Sequence, residues 1–197
     1  MTTQVATLLS PDPHAVLDAS HHPGDAEVGL FTFLDHSHQE MQRMLASLRE
    51  LVRAIDADGL TPAVRARARE ILAWFNTQAR QHHLDEERHV FPALLASPDA
   101  EVSAVAQRLV QDHGWLEEDW IEIAPALASA ADGYQWFDLD VLRHSVEVFD
   151  QLYVDHILLE ESLAYPEARA LIPASDLQAM GLEMARRRAL REHAGNR

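Results

Sequence analysis

The sequence predicts an all-α protein. An up-down-up-down four-helix bundle is expected over residues 28–170, with an irregular N-terminal arm at 1–27 and a short C-terminal fifth helix and tail at 171–197. Three observations carry this reading. Apolar residues recur at three- and four-residue steps over long stretches, the period of an amphipathic helix. Apolar–polar alternation of strand type is absent. Helix-breaking clusters divide the periodic stretches into four of similar length with short connections, which links antiparallel neighbours in a bundle.

The elements follow in order. Pro11, Pro13, Pro23 and Gly24 interrupt the first 27 residues, and His14, His21 and His22 belong to this polar arm. The first helix is expected at 30–55, with Gly59 in "DADG" as its stop. Thr61 as N-cap and Pro62 in the first turn open the second, which runs to residue 91. "SPDAE" breaks the chain and caps a third helix at 100–130, and "ADGYQWFD" is the turn into a fourth at 138–165. A fifth is expected at 175–191. The fourth helix shows its buried stripe best: Leu142, Val146, Phe149, Tyr153, His156, Glu160 and Leu163 alternate four- and three-residue steps. In the second, Leu72, Phe75, Ala79, His82 and Glu86 do the same. Trp74, Trp115, Trp120 and Trp136 read as core and hairpin packing, His144 and His193 as surface.

Composition excludes several functions. The 197 residues contain no cysteine, so disulfides, thiolate-held iron–sulfur clusters and thiol catalysis are out. The net charge is −16 and all 16 basic residues are arginine; such a surface repels phosphate backbones, so no nucleic-acid partner is expected. "RRRALR" near the C-terminus reads as the solvated face of a helix. No apolar run approaches the roughly 18 residues of a membrane span, and the N-terminus lacks a signal pattern. No membrane association and a cytoplasmic location are the expectations. Twelve histidines are an excess that needs a reason.

The reason lies in an internal repeat. "HHLDEERHVFP" at 82–92 and "HILLEESLAYP" at 156–166 both read His, three residues, two glutamates, then an aromatic and proline. "LDHSHQE" places Asp35, His36 and Glu40 in the first helix; "QDHGWLE" places Asp112, His113 and Glu117 in the third. Two helical hairpins with pseudo-two-fold packing bring all four motifs to one level. A buried carboxylate without a partner costs several kcal/mol, and no arginine lies on the stripes near these motifs. A cation is the remaining remedy. His and Glu one turn apart point the same way, so His82–Glu86 and His156–Glu160 with His36 and His113 suit a pair of borderline metals such as iron, manganese or zinc.

With these residues, the chain over about 30–166 resembles the hemerythrin-like (HHE cation-binding) family, whose pattern is H, H-x3-E, H, H-x3-E on four helices. The resemblance implies a hemerythrin-like bundle and two iron ions in an oxo- or hydroxo-bridged centre, ahead of zinc or manganese. It makes His36, His82, His113 and His156 terminal ligands and Glu86 and Glu160 bridges. The third helix departs from the oxygen-carrier pattern: Glu117 stands where a second histidine would, and Glu40 is spaced identically from His36. Both are additional ligand candidates or helix-edge acids. His83 is a fifth ligand at the site's edge or a surface histidine. His38 and His89 raise similar alternatives, with His89 also placed to line an access channel. Asp35 and Asp112 read as acceptors for imidazole N–H groups or as surface acids, and Tyr153 as a core tyrosine or a donor to a metal-bound ligand. No residue is assigned as catalytic.

The function expected from the resemblance is reaction with dioxygen, peroxide or nitric oxide, in peroxidatic, catalase-like or ferroxidase-like turnover. The alternative is a non-enzymatic oxygen- or iron-binding sensor or storage module, with a protein partner the sequence does not name.

Overall fold

The computed structural model describes residues 29–195, with side chains to residue 190; the N-terminal arm with His14, His21 and His22, and the side chain of His193, lie outside the described residues. The helices are α1 (Leu30–Asp58), α2 (Pro62–Trp74), α3 (Arg80–His89), α4 (Phe91–Leu95), α5 (Ala100–Asp132), α6 (Leu139–Leu159), α7 (Tyr165–Leu171) and α8 (Ala174–Gly195). No strand occurs among the described residues. Two π-turns, Phe75–Ala79 and Glu160–Ala164, join α2 to α3 and α6 to α7, so the second and fourth rods of the bundle are composite. The helices continue through Pro92 and Pro166, each near the start of a new segment, rather than stopping there.

Local chemistry sets the ends. Thr61 Oγ1 accepts the Val64 N–H at 3.3 Å, Asp99 caps α5, and Asp138 Oδ1 accepts from Asp140 and Val141. These satisfy N–H groups that no helical carbonyl can reach. Gly59 (φ 68°) and Gly133 (φ 91°) end α1 and α5 in backbone that a side chain would strain.

Contacts of α1 with α2 and α6, and of α5 with α2 and α6, close the four rods into a ring, and α8 lies along α1. The core is divided. One apolar cluster runs from Met41 to Ile55 on α1 and takes Phe75, Trp120, Phe149 and Tyr153 from the other rods. The other gathers Leu30, Phe31, Leu34, Phe91, Leu109, Tyr165 and Met184. A layer of buried histidines and acids lies between them. Trp115 and Trp136 are exposed, so of the four tryptophans Trp120 is the one that fills the core.

The fifth helix is fastened to this layer's edge. Arg187 donates to the buried Asp85 at 2.5 Å and to Glu183, and His89 meets Glu183 at 3.2 Å. Hence His89 holds α8 and does not line a channel. Removing one partner of a buried pair strands the other charge. Arg187→Ala is therefore expected to lower the unfolding free energy by roughly 2–4 kcal/mol, read as a fall in the denaturant midpoint. A double Asp85→Asn, Arg187→Met variant should recover most of it.

Candidate metal centre

Each side chain of the polar layer is aimed by its helix register. On α1 the buried stripe is Leu34, His38, Met41, Leu45, Leu48, Val52 and Ile55, and on α5 it is Leu109, His113, Leu116, Trp120, Ile123 and Leu127. His38 and His113 are the histidines on those stripes. His36, two residues from His38, turns about 200° away and is exposed. The expectation placed His36 in the cluster; the structure places His38 there instead.

Glu86 and Glu160 lie at the centre, and each spans both sides of the cluster. Glu86 Oε1 is 3.4 Å from His82 Nε2 and 3.9 Å from His38 Nε2, while its Oε2 is 3.4 Å from His113 Nε2. Glu160 Oε2 is 3.1 Å from His38 Nε2, and its Oε1 is 3.1 Å from His156 Nε2. Two overlapping groups result: His38, His82, Glu86 and Glu160, and His113, His156, Glu86 and Glu160, with the ligand atoms of each within 4.8 Å of one another. His83, stacked on His113 at 4.0 Å between centroids, forms a third group with His113 and His156.

Outer contacts hold the rings. His38 Nδ1–H donates to Glu161 Oε1 and His113 Nδ1–H to Glu87 Oε1, both at 2.9 Å. Each thereby turns Nε2 to the interior, the atom a metal would take once its proton is displaced. The two acceptors are the second glutamates of "DEER" and "LEES", a matching role in the two halves. Asp112 Oδ2 stands 3.7 Å from His156 Nδ1, whereas Asp35 is half-exposed beside Arg169. Of the two aspartates, then, only Asp112 faces an imidazole of the layer.

Glu40 and Glu117 are not in the cluster. Glu40 pairs with Arg43 at 2.8 Å, and Glu117 takes Arg80 Nε at 3.0 Å. Arginines within reach satisfy these partly exposed acids, so they need no metal. Leu72 is only half-buried and Leu163 is partly exposed. Ala164 and Tyr165 are buried where the stripe calls for Leu163, because the π-turn shifts the register beyond Glu160.

Charge is poorly balanced without an ion. Burial pushes Glu86 up, and the charge of Glu160 pushes it further. Burial also raises Glu160, but His156 and then His38 overrule it and hold it well below the usual carboxylate range. Burial lowers His38, yet Glu160, Glu86 and Glu161 raise it to about 9. Burial likewise lowers His156, and Glu160 with Asp112 raises it to about 10. His82 and His83 are driven down by burial first and then by neighbouring imidazolium charge, from His38 and His113 respectively. Nε2 of His82, His113 and His156, Oε2 of Glu86 and both oxygens of Glu160 are buried without a hydrogen-bond partner among the described residues. Each such atom costs about 1–3 kcal/mol or more. The close approaches to Glu160 are thus poorly aligned as hydrogen bonds, while the donor atoms of each group lie within 4.8 Å of one another. Nitrogen and carboxylate donors converging on two adjacent points fit a pair of transition-metal ions.

The hemerythrin HHE cation-binding domain matches residues 30–168 of this chain. The protein belongs to the hemerythrin family. An uncharacterized protein of Haemophilus influenzae is also similar to it, 32% identical over 156 residues that make up 79% of this chain and 87% of that one. This hemerythrin-family chain sets its buried histidines and glutamates on four helical rods. Among the described residues no helix is long and apolar enough to cross a membrane.

Proposed function

We propose that the chain binds two iron ions and reacts through them with dioxygen, peroxide or nitric oxide. One observation carries this: each of Glu86 and Glu160 turns one oxygen toward each of two separate imidazole pairs. A carboxylate serving one ion has no reason to be so divided. In this reading His38 and His82 would hold one ion, His113, His156 and His83 would hold the other, and Glu86 and Glu160 would serve both. Such a pair supplies one-electron changes at two adjacent centres and an open place for a small ligand.

The chain's own residues do the rest. Glu87 and Glu161 fix the His113 and His38 rings through Nδ1–H. Apolar layers above and below exclude bulk water. A cavity of about 10 Å³ lined by Phe75, Ala79, His83, Leu116, Trp120 and Tyr153 reaches the edge of the site, and Arg80 with Glu117 also lines it. That volume is near the lower limit for one water. A space so small bars bulky substrates from this side.

The test is iron per chain in protein from iron-supplied cells, with stopped-flow mixing of the ferrous form with dioxygen and with peroxide. Two irons and turnover are expected. His38→Ala should lose at least one iron and His36→Ala none; the reverse result would restore the repeat-based register and defeat this one. A sensor or storage role is the second reading, favoured by the fastening of α8 to Asp85 beside Glu86. It predicts a stable adduct without turnover in the same mixing experiment.

A further inference from the structure

We propose that Tyr165 is itself a ligand, its phenolic oxygen completing the ion position of His38 and His82. This rests on the two-ion reading above and adds a donor to it. The Tyr165 hydroxyl donates to Glu86 Oε1 and lies 3.1 Å from His38 Nε2. Its ring is buried and stacked on His38, with centroids 5.3 Å apart and planes 10° from parallel. Neighbouring donors on one octahedral ion with bonds of about 2.1 Å are about 3 Å apart. The separation from Nε2 is that of two ligands of one ion, while the closer contact with Oε1 is the hydrogen bond the hydroxyl makes while it keeps its proton.

The backbone explains how it gets there. In an α-helix a residue five places after Glu160 turns about 140° away from it. Here the Tyr165 N–H bonds to the Glu160 carbonyl, five residues back. That wider π-turn carries Tyr165 onto the face of Glu160, and such turns recur at functional sites. Pro166 favours it, since its ring clashes with a carbonyl four residues back and it offers no N–H.

The repeat supplies an internal contrast. Phe91 occupies the corresponding place in the first half, with its ring against His113 at 5.3 Å, and has no donor atom. On that side His83 stands near His113 and His156. Each position thus gains one donor that the two-fold repeat does not dictate: an imidazole on one side, a phenolic oxygen on the other. With one oxygen from each bridge, both reach five protein donors, which leaves one place in six for a small ligand. As the bond to the ion forms, the phenolic proton leaves to bulk water and Glu86 Oε1 gives up that hydrogen bond for the ion. The added negative charge falls on the side with one fewer imidazole.

The test uses the full chain loaded with iron and oxidised in air, read by iron content, visible absorption and resonance Raman scattering. Expected is an intense phenolate-to-iron(III) band with ring-mode enhancement, lost to baseline in Tyr165→Phe while iron is still bound, and kept in Tyr153→Phe. Two irons with no such band in the unaltered chain, or a band that survives Tyr165→Phe, overturns the assignment and leaves the two-ion reading standing. No iron in the unaltered chain sinks both. Should Tyr165→Phe not fold, elimination decides: the chain has three tyrosines. A band kept in Tyr134→Phe and in Tyr153→Phe belongs to Tyr165, and one lost in either does not.

Discussion

Glu86→Gln is expected to make the metal-free protein more stable and the metal-loaded protein less so. The substitution keeps the shape and an oxygen to accept from Tyr165. It removes a negative charge that burial and Glu160 both disfavour, which should raise metal-free stability by roughly 1–3 kcal/mol near pH 7. In the two-ion reading both positions draw an oxygen from Glu86, so the loss would fall on both. Removing even an outer partner of a ligand weakens binding about 10–100-fold; a shared bridge should cost more. Thermal unfolding with and without chelator, together with metal content, reads both effects. If Glu86→Gln destabilises the chelator-treated protein as much as the loaded one, the carboxylate is an ordinary structural group and the metal reading loses its footing.

Raising the pH from 6 to 9 is expected to widen the stability gap between metal-loaded and metal-free protein. His38 and His156, raised to about 9 and about 10, favour the folded state most fully below their unfolded value near 6.5. That contribution is lost as pH climbs through the raised values. Glu86, raised as well, grows costlier as it ionises over the same climb. Glu160 acts the other way, but its contribution is lost only below about pH 4.5, outside this window. Metal requires unprotonated imidazoles, so each displaced proton strengthens binding about tenfold per pH unit, or about 1.4 kcal/mol. Melting temperatures with excess metal and with chelator, measured at each pH, give the gap directly. A gap that is constant or narrows would show that no metal competes with protons at these histidines.

Most of the fold was legible because helix punctuation is local chemistry: Thr61, Asp99, Asp138, Gly59 and Gly133 end or begin helices as such residues do elsewhere. His82, Glu86, His113, His156 and Glu160 could be brought together from sequence because their helices show clear stripes. His38 could have been found by the same means. It fits the α1 stripe between Leu34 and Met41, and it precedes His82 by 44 residues against 43 for His113 and His156. The Asp-His similarity of "LDHSHQE" and "QDHGWLE" favoured His36, but a shared dipeptide is weaker than the spacing that decides which side is buried. The Arg80–Glu117 pair was hidden because it joins different helices, whereas Arg43 lies three residues after Glu40 on one helix and was open to view. Tyr165 lay behind an assumption of α-helical pitch. The five-residue step from glutamate to aromatic did not reveal the π-turn, since the same step in the first half follows a helix in which the Val90 N–H bonds the Glu86 carbonyl in the ordinary way.

The imidazoles of each ion position come from one hairpin: His38 and His82 from the first, His83 apart, His113 and His156 from the second. Both glutamates reach across, and so do His83 and Tyr165. The two halves are therefore riveted to each other by whatever the carboxylates clasp. A lone ancestral hairpin, with two imidazoles and one acid, could have assembled the same centre by meeting a second copy of itself.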